Sequence, residues 1–263
     1  MATALAPTAS AQPLALPAGR VFLAAQWRAL AMLNWEVEPR LIEPYVPRGT
    51  ELDFHEGKTY VSLVGFLFLD TYVLGIPFPW HRNFEEVNLR FYISRQESGM
   101  VKRAVGFVRE IVPRWAIARI ARWSYNEPYV CHAMRHRHDG YCRQATPQHA
   151  EKLLVEYGWC CNGNWLSLGV ECSGSPQSLV AGSHEEFIAE HYWGYCRQRD
   201  GGTVEYRVEH PPWQVWRTNR CWVTGGIADF YPEEFREILS QPPTTSLLAD
   251  GSTVRVYQPR RIA

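Results

Sequence analysis

The chain has 263 residues, 46% hydrophobic and 13% aromatic, enough to bury the core of one barrel-sized domain or of two small ones. Its 27 basic and 27 acidic residues cancel, which removes the electrostatic case for a nucleic-acid or anionic-membrane partner. Only Lys58, Lys102 and Lys152 are lysines, so chemistry through a lysine imine has few places to occur.

The seven cysteines are odd in number and include no Cys-x-x-Cys, so reduced thiols are expected rather than a disulfide framework. Residues 1–20 are rich in Ala and Pro without a basic n-region, and read as a disordered leader rather than a signal peptide. No apolar run has the length of a membrane span, which places the protein in the cytoplasm.

Residues 21–37 (VFLAAQWRALAMLNWEV) are apolar, the first half compatible with a helix and the second alternating like a strand. Glu38-Pro39 opens a short helix with Pro in its first turn, ended by Pro47 and Gly49. Residues 52–54 and 59–69 are expected to be strands around a Glu56-Gly57 turn. The second (TYVSLVGFLFL) is apolar on both faces and therefore central. Residues 70–82 (DTYVLGIPFPWHR) form a Pro- and Gly-containing loop with so many large apolar side chains that it either covers a cavity or plugs one end of the fold.

Residues 81–92 (HRNFEEVNLRFY) are the centre of the reading. Val87, Leu89, Phe91 and Ile93 alternate with Glu86, Asn88, Arg90 and Tyr92, giving one apolar and one hydrogen-bonding strand face. A carboxylate, an amide, a guanidinium and a phenol can hold one another, or a ligand, in fixed geometry. The next apolar strand, residues 104–112 (AVGFVREIV), adds Arg109 and Glu110. The two strands read either as the wall of a pocket or as a closed ion-pair network.

Further along, residues 113–125 read as an amphipathic helix, residues 132–144 as a hairpin about Asp139-Gly140, and residues 153–172 as a hairpin about Asn162-Gly163. Ser183 and Glu186 match a capping box before a short helix. A strand through Trp193 and Tyr195 turns at residues 200–202 into residues 204–208, and residues 232–239 give a last short helix. No repeat and no linker interrupts residues 21–263. They are expected to form a single, mostly antiparallel β domain (α+β), a curled sheet closing as a barrel with a few short helices.

The series WRALAMLNWEV, YVPRGTELD, YVSLVGFLFLDT, HRNFEEVNLRFY, VREIVPRWAIARI, YNEPY, EHYWGYC and EHPPW resembles the YqjF-like family, bacterial proteins of uncharacterised function remotely related to acetoacetate decarboxylase. The resemblance implies a closed or cone-shaped antiparallel β-barrel with a small-molecule cavity. In the wider superfamily, decarboxylation, aldol and dehydration chemistry run through a lysine Schiff base. Here Arg109-Glu110 match the decarboxylase Arg-Glu pair, but the lysine positions fall near Ala116 and Ile117, and the acidic position of the preceding strand falls near Val64. The three lysines read as lying beside a turn, in a hairpin loop and at a strand start. The fold is therefore expected to carry over and the imine chemistry is not.

Among other clusters, His132, His136 and His138 with Cys131 and Cys142 invite a metal reading, but a hairpin tip among Arg135 and Arg137 reads as solvated, and no metal is expected. His191 and His210 sit among aromatic residues, as core hydrogen-bonders or as groups able to exchange protons near neutral pH. No nucleotide or nucleophile-elbow fingerprint and no cofactor motif occurs. The expected function is binding of a small anionic organic molecule. A lysine-independent lyase or isomerase would use Glu86, Glu110 or His210 as acid or base, with Asn88, Arg90, Tyr92, Arg109 and His191 holding the ligand. A non-catalytic binder and a structural or dimerising protein with a closed core are the alternatives, and homo-oligomerisation stays open.

Overall fold

The computed structural model describes residues 19–77, 82–113, 128–141 and 149–262. The expected helix over 113–125 beyond Pro113, nearly all of the leader, Cys142 and the positions of Ala116 and Ile117 lie outside them.

The described chain is mostly β. Its strands are β1 (Val21–Val37), β2 (Glu51–Leu52), β3 (Thr59–Val73), β4 (Ile76–Pro77), β5 (Phe84–Glu97), β6 (Met100–Val112), β7 (Tyr129–Cys131) and β8 (Met134–Asp139). They continue as β9 (Ala150–Cys161), β10 (Asn164–Gly174), β11 (Gln177–Ser178), β12 (Trp193–Arg197), β13 (Thr203–Glu209), β14 (Gln214–Thr224), β15 (Thr245–Tyr257) and β16 (Arg260–Arg261). The α-helices are single turns or little more: α1 (Pro39–Ile42), α2 (His184–Ala189), α3 (Ile227–Phe230) and α4 (Arg236–Leu239).

The main path of pairing runs β13, β12, β6, β5, β3, β1, β15, β14, β10, β9, β8. In addition, Val208 and Glu209 of β13 pair with Val256 and Arg255 of β15, so part of that path returns to its own start. Strands β14, β10, β9 and β8 continue beyond β15 and fold back over the outer side of β1 and β3.

This folding back explains the composition of the long strands. On β3, Val61, Leu63 and Leu67 pack outward with Tyr157, Trp159, Leu168 and Val170 of the returning strands, while Val64, Phe66 and Phe68 pack inward. Both faces are covered, so both are apolar. At Gly65 the ring of Tyr157 comes so close that an added Cβ would lie 2.6 Å from it; only glycine allows this approach. β5 follows the same rule with one difference. Val87, Leu89, Phe91 and Ile93 enter the outer core, and the polar face of Glu86, Asn88 and Arg90 points inward.

Several local expectations change. The first half of residues 21–37 is strand, because both edges of β1 are paired, with β15 and β3. A bulge with Ala29 at φ 55° bends it where the β3 register shifts between Arg28 and Ala31. Glu51–Leu52 pairs with β5 rather than with β3; the Glu56-Gly57 turn keeps only the His55–Lys58 bridge. The apolar segment 70–82 begins as an extension of β3, turning at Leu74-Gly75 into β4. The Asp139-Gly140 dipeptide does not close a two-residue hairpin: Met134 lies opposite Trp159 and Asp139 opposite Leu154, so β8 takes its partner from Ala150–Cys161. The Asn162-Gly163 hairpin forms as its φ requirements predict, at 49° and 81°. Ser183 caps α2 by accepting from the Glu186 amide, while the Glu186 carboxylate takes the Gly182 amide in place of the Ser183 one.

Candidate functional site

Between the inner faces of β1, β3, β5 and β6 and the segments from α2 to β13 lies a cavity of about 140 Å³. Most of its lining is apolar: Trp27, Leu30, Val64, Phe66, Phe68 and Phe84 on one side, Val105, Phe107, Trp193, Val208 and Trp213 on the other. Apart from Thr71 and Tyr206, the polar lining groups share one patch. Glu86, Asn88 and Arg90 come from β5, Glu110 from β6, Tyr129 from β7, and His191 from the segment after α2.

β-Strand alternation brings three of these together, since residues 86, 88 and 90 lie on one face. Glu110 joins them through a bulge. Leu89 pairs with Arg109 and Arg90 with Phe107, so Val108 is an extra residue that shifts the alternation. Phe107 and Glu110 then face the cavity, and Arg109 faces out, where it donates to the Phe230 carbonyl and lies 4.9 Å over the Phe230 ring. Adjacent strand residues cannot share a face, which is why the expected pairing of Arg109 and Glu110 in one wall fails.

Within the patch, Asn88 Nδ2 donates to Glu86 Oε1 at 3.0 Å and the Tyr129 hydroxyl to Glu86 Oε2 at 3.2 Å. Asn88 and Glu110 are direct cross-strand partners, and Glu110 in turn pairs with Tyr129. Arg90 is held differently. Its Nη2 donates to the Ile188 carbonyl at 2.8 Å and touches Met32 Sδ, its Nε has no acceptor, and no carboxylate pairs with it among the described residues. It is 8% exposed. His191, 7% exposed, has neither ring nitrogen hydrogen-bonded among the described residues. Burial holds its imidazole well below the usual histidine range, and the nearby charges of Arg103 and Arg90 push the same way, so it is neutral at pH 7.

Two expected site residues sit elsewhere. The Tyr92 hydroxyl is 2.5 Å from Ser62 Oγ, which also reaches Asn34 Oδ1 at 2.6 Å, and Asn34 reaches Thr245. Tyr92 thus belongs to a buried chain behind the cavity, touching its lining through the His191 ring, 4.8 Å away, and the Arg90 guanidinium, 5.6 Å from the Tyr92 ring. His210 is stacked between Tyr192 and Trp213, at 4.7 and 4.2 Å, with its Nδ1 2.9 Å from the Pro211 carbonyl. Burial lowers its pKa too, but it does not line the cavity. Tyr129 was not foreseen in this role; its parallel pairing with β6, which no periodicity signals, brings it to Glu86.

None of the three lysines lines the cavity. Lys58 and Lys152 are exposed partners of Glu36 and Glu171. Lys102, expected in a loop, is a strand residue only 5% exposed, held by Glu97 at 2.5 Å and by both oxygens of Glu205 at 3.0 Å. Val64, near which the resemblance implies an acidic residue, is 1% exposed and apolar. The histidines of β8 and its approach are engaged separately. His132 meets the Cys160 carbonyl, His136 meets Glu85, and His138 meets the Tyr157 hydroxyl.

Solved structures with the same architecture cover nearly the whole chain. Acetoacetate decarboxylase from Legionella pneumophila is 11% identical at a TM-score of 0.62, over 97% of this chain and 98% of that one. An acetoacetate decarboxylase-like enzyme from Sphingomonas wittichii RW1 is 14% identical at 0.60, over 97% and 99%. The enduracididine biosynthesis enzyme MppR, complexed with pyruvate, is 10% identical at 0.61, over 98% and 99%. At these identities the likeness establishes the fold alone. The uncharacterized protein YqjF of Bacillus subtilis is 27% identical over 82 residues, 31% of this chain, so the match spans about a third (34%) of that relative's length. The profile of the DUF2071 family, described as an uncharacterized conserved protein, matches residues 24–253, and with nearly the whole β framework inside that match the chain belongs to this family.

Proposed function

We propose that residues 21–263 form one closed barrel, its ring of pairings running β13, β12, β6, β5, β3, β1, β15 and back to β13. On this reading the barrel binds a small organic anion at Arg90 and performs lysine-independent proton-transfer chemistry on it, of the lyase or isomerase type. The observation that carries the reading is Arg90, a buried guanidinium on a cavity wall with an unused N–H and no carboxylate partner among the described residues. A buried cation without a counter-ion is costly, and a carboxylate bound from solution supplies one. The neutral imidazole of His191 on the same wall is a group able to take or return a proton, and Glu86, Asn88, Glu110 and Tyr129 make up the rest of the polar patch. That solved proteins of this fold include one complexed with pyruvate supports a small acid as the ligand class.

Imine formation has no support, because the nearest buried amine, that of Lys102, is occupied by two carboxylates. The test is binding of pyruvate and acetoacetate by calorimetry to the parent chain and to Arg90→Met. Loss of a charge-assisted contact is expected to weaken binding about 10- to 100-fold, corresponding to ~1.5–3 kcal/mol. Borohydride added with either acid should leave the protein mass unchanged. Equal affinity in Arg90→Met overturns the anion site, and a trapped adduct on a lysine overturns the lysine-independent chemistry. Binding without turnover would make the protein a carrier rather than an enzyme.

A further inference from the structure

The cavity has a polar end and a long apolar flank, and the register of β3 and β5 fixes their order. Ser62 lies opposite Arg90, Val64 opposite Asn88, Phe66 opposite Glu86 and Phe68 opposite Phe84. Beyond them the cavity reaches Leu23 and Val73, which pair with each other on β1 and β3. From the level of Arg90 to that of Phe68 is about 20 Å along the strand. Over that distance the lining passes from guanidinium, amide and carboxylate to the rings of Phe66, Phe68 and Trp27, with Trp27 edge to face on both phenylalanines at 5.3 and 5.7 Å.

We infer that the ligand is an unbranched or lightly branched monocarboxylate with an apolar tail, its carboxylate at Arg90 and its tail lying along Leu30, Val64 and Phe66 toward Trp27. This rests on the proposal that Arg90 receives an organic anion. Among the described residues the flank offers the unpartnered Trp27 Nε1 and Thr71 hydroxyl but no cation, so a second carboxylate would be buried there without a counter-ion and dicarboxylates are disfavoured. Size sets the length. A buried cavity of roughly 150 Å³ accepts a six-carbon ring, so a 140 Å³ cavity suits a ligand of about six to eight heavy atoms. A two-carbon acid would leave Val64 and Phe66 uncovered, and an acid much longer than hexanoate would exceed the volume of the cavity.

The experiment is a calorimetric series on the full chain with acetate, butyrate, hexanoate and octanoate, with succinate as the dianion and hexanol as the neutral chain. Affinity should rise about fourfold per added methylene from acetate to hexanoate, the fold-change equivalent of ~0.8 kcal/mol each, and level off by octanoate. Succinate should bind at least tenfold more weakly than butyrate. Phe66→Trp, which fills space where the end of a six-carbon tail would lie, should weaken hexanoate several-fold and leave butyrate unchanged. Equal binding of acetate and hexanoate, or a preference for succinate, overturns the tail while leaving the anion site standing. Hexanol binding as tightly as hexanoate, or no acid binding at all, removes the anion site and this inference with it.

Discussion

Two buried charge clusters lie on the same pair of strands and are built in opposite ways. At the hairpin end of β5 and β6, Lys102 and Glu205 meet at 3.0 Å, and Glu97, Arg95, Arg260 and Tyr195 complete a network in which Glu205 alone receives three cations and a hydroxyl. At the other end, Arg90 donates to a backbone carbonyl and meets no carboxylate among the described residues. Both are costly to desolvate, but only the first cluster recovers the cost internally. Buried charge alone therefore does not mark a site on this wall. The completeness of its pairing separates a structural tie from a place for a ligand.

The contrast can be broken most directly at Glu205. Replacing it with Leu leaves Lys102, Arg95 and Arg260 converging on a missing carboxylate, and urea unfolding should show a loss of about 3–5 kcal/mol. The Glu205→Leu/Lys102→Met double variant should recover much of that loss. Arg90→Met, by comparison, should stay within about 1 kcal/mol of the parent, because only one carbonyl loses a donor. A loss at Arg90 as large as that at Glu205 would mean the two clusters are alike.

Arg109 gives a smaller effect. Its half-buried guanidinium stacks on Phe230 and Tyr231 outside the cavity. Arg109→Met should cost about 0.5–1 kcal/mol and leave ligand affinity unchanged. A change in affinity with stability intact would put Arg109 back in the wall.

The smallest expected change is a slope. Burial, with Arg103 and Arg90 adding to it, holds the His191 pKa below its unfolded value of about 6.5. As pH falls through 6.5, the unfolded chain takes a proton that folded His191 refuses, so stability declines toward the lower folded pKa and is unaffected above 6.5. His184 and His210 are shifted the same way. The measurement is therefore the difference between the parent and His191→Phe: the variant should lose less stability between pH 7 and pH 5. A parallel decline in both would show that His191 is protonated in the folded chain.

What the sequence revealed and what it hid follow one physical line. Alternation on residues 84–97 was readable because strand faces repeat every two residues, and it pointed to Glu86, Asn88 and Arg90 without any knowledge of the partner strands. The double-faced apolar character of β3 revealed its central position for the same reason. Arg109 was misplaced because a bulge leaves no mark in composition. Lys102 was misplaced because a charged residue near a turn reads as exposed until its partner, Glu205, is brought from a distant strand. His210 and His191 have similar neighbours in sequence, and only the packing of Tyr192 and Trp213 around one of them tells them apart.

The bulge at Val108 has a further consequence, best put as parity. Before it, odd-numbered residues of β6 face inward; after it, even-numbered ones do. Were the strand flattened into regular alternation from Phe107 on, Arg109 would turn into the cavity and Glu110 out of it, exchanging a negative group for a positive one without any substitution. Deleting Val108, by contrast, removes the extra residue and keeps Phe107 and Glu110 on the same side, so the shorter chain retains both flanking registers and gives up one outward-packed side chain. The sign of the charge that β6 presents to the cavity is thus set by a count of residues.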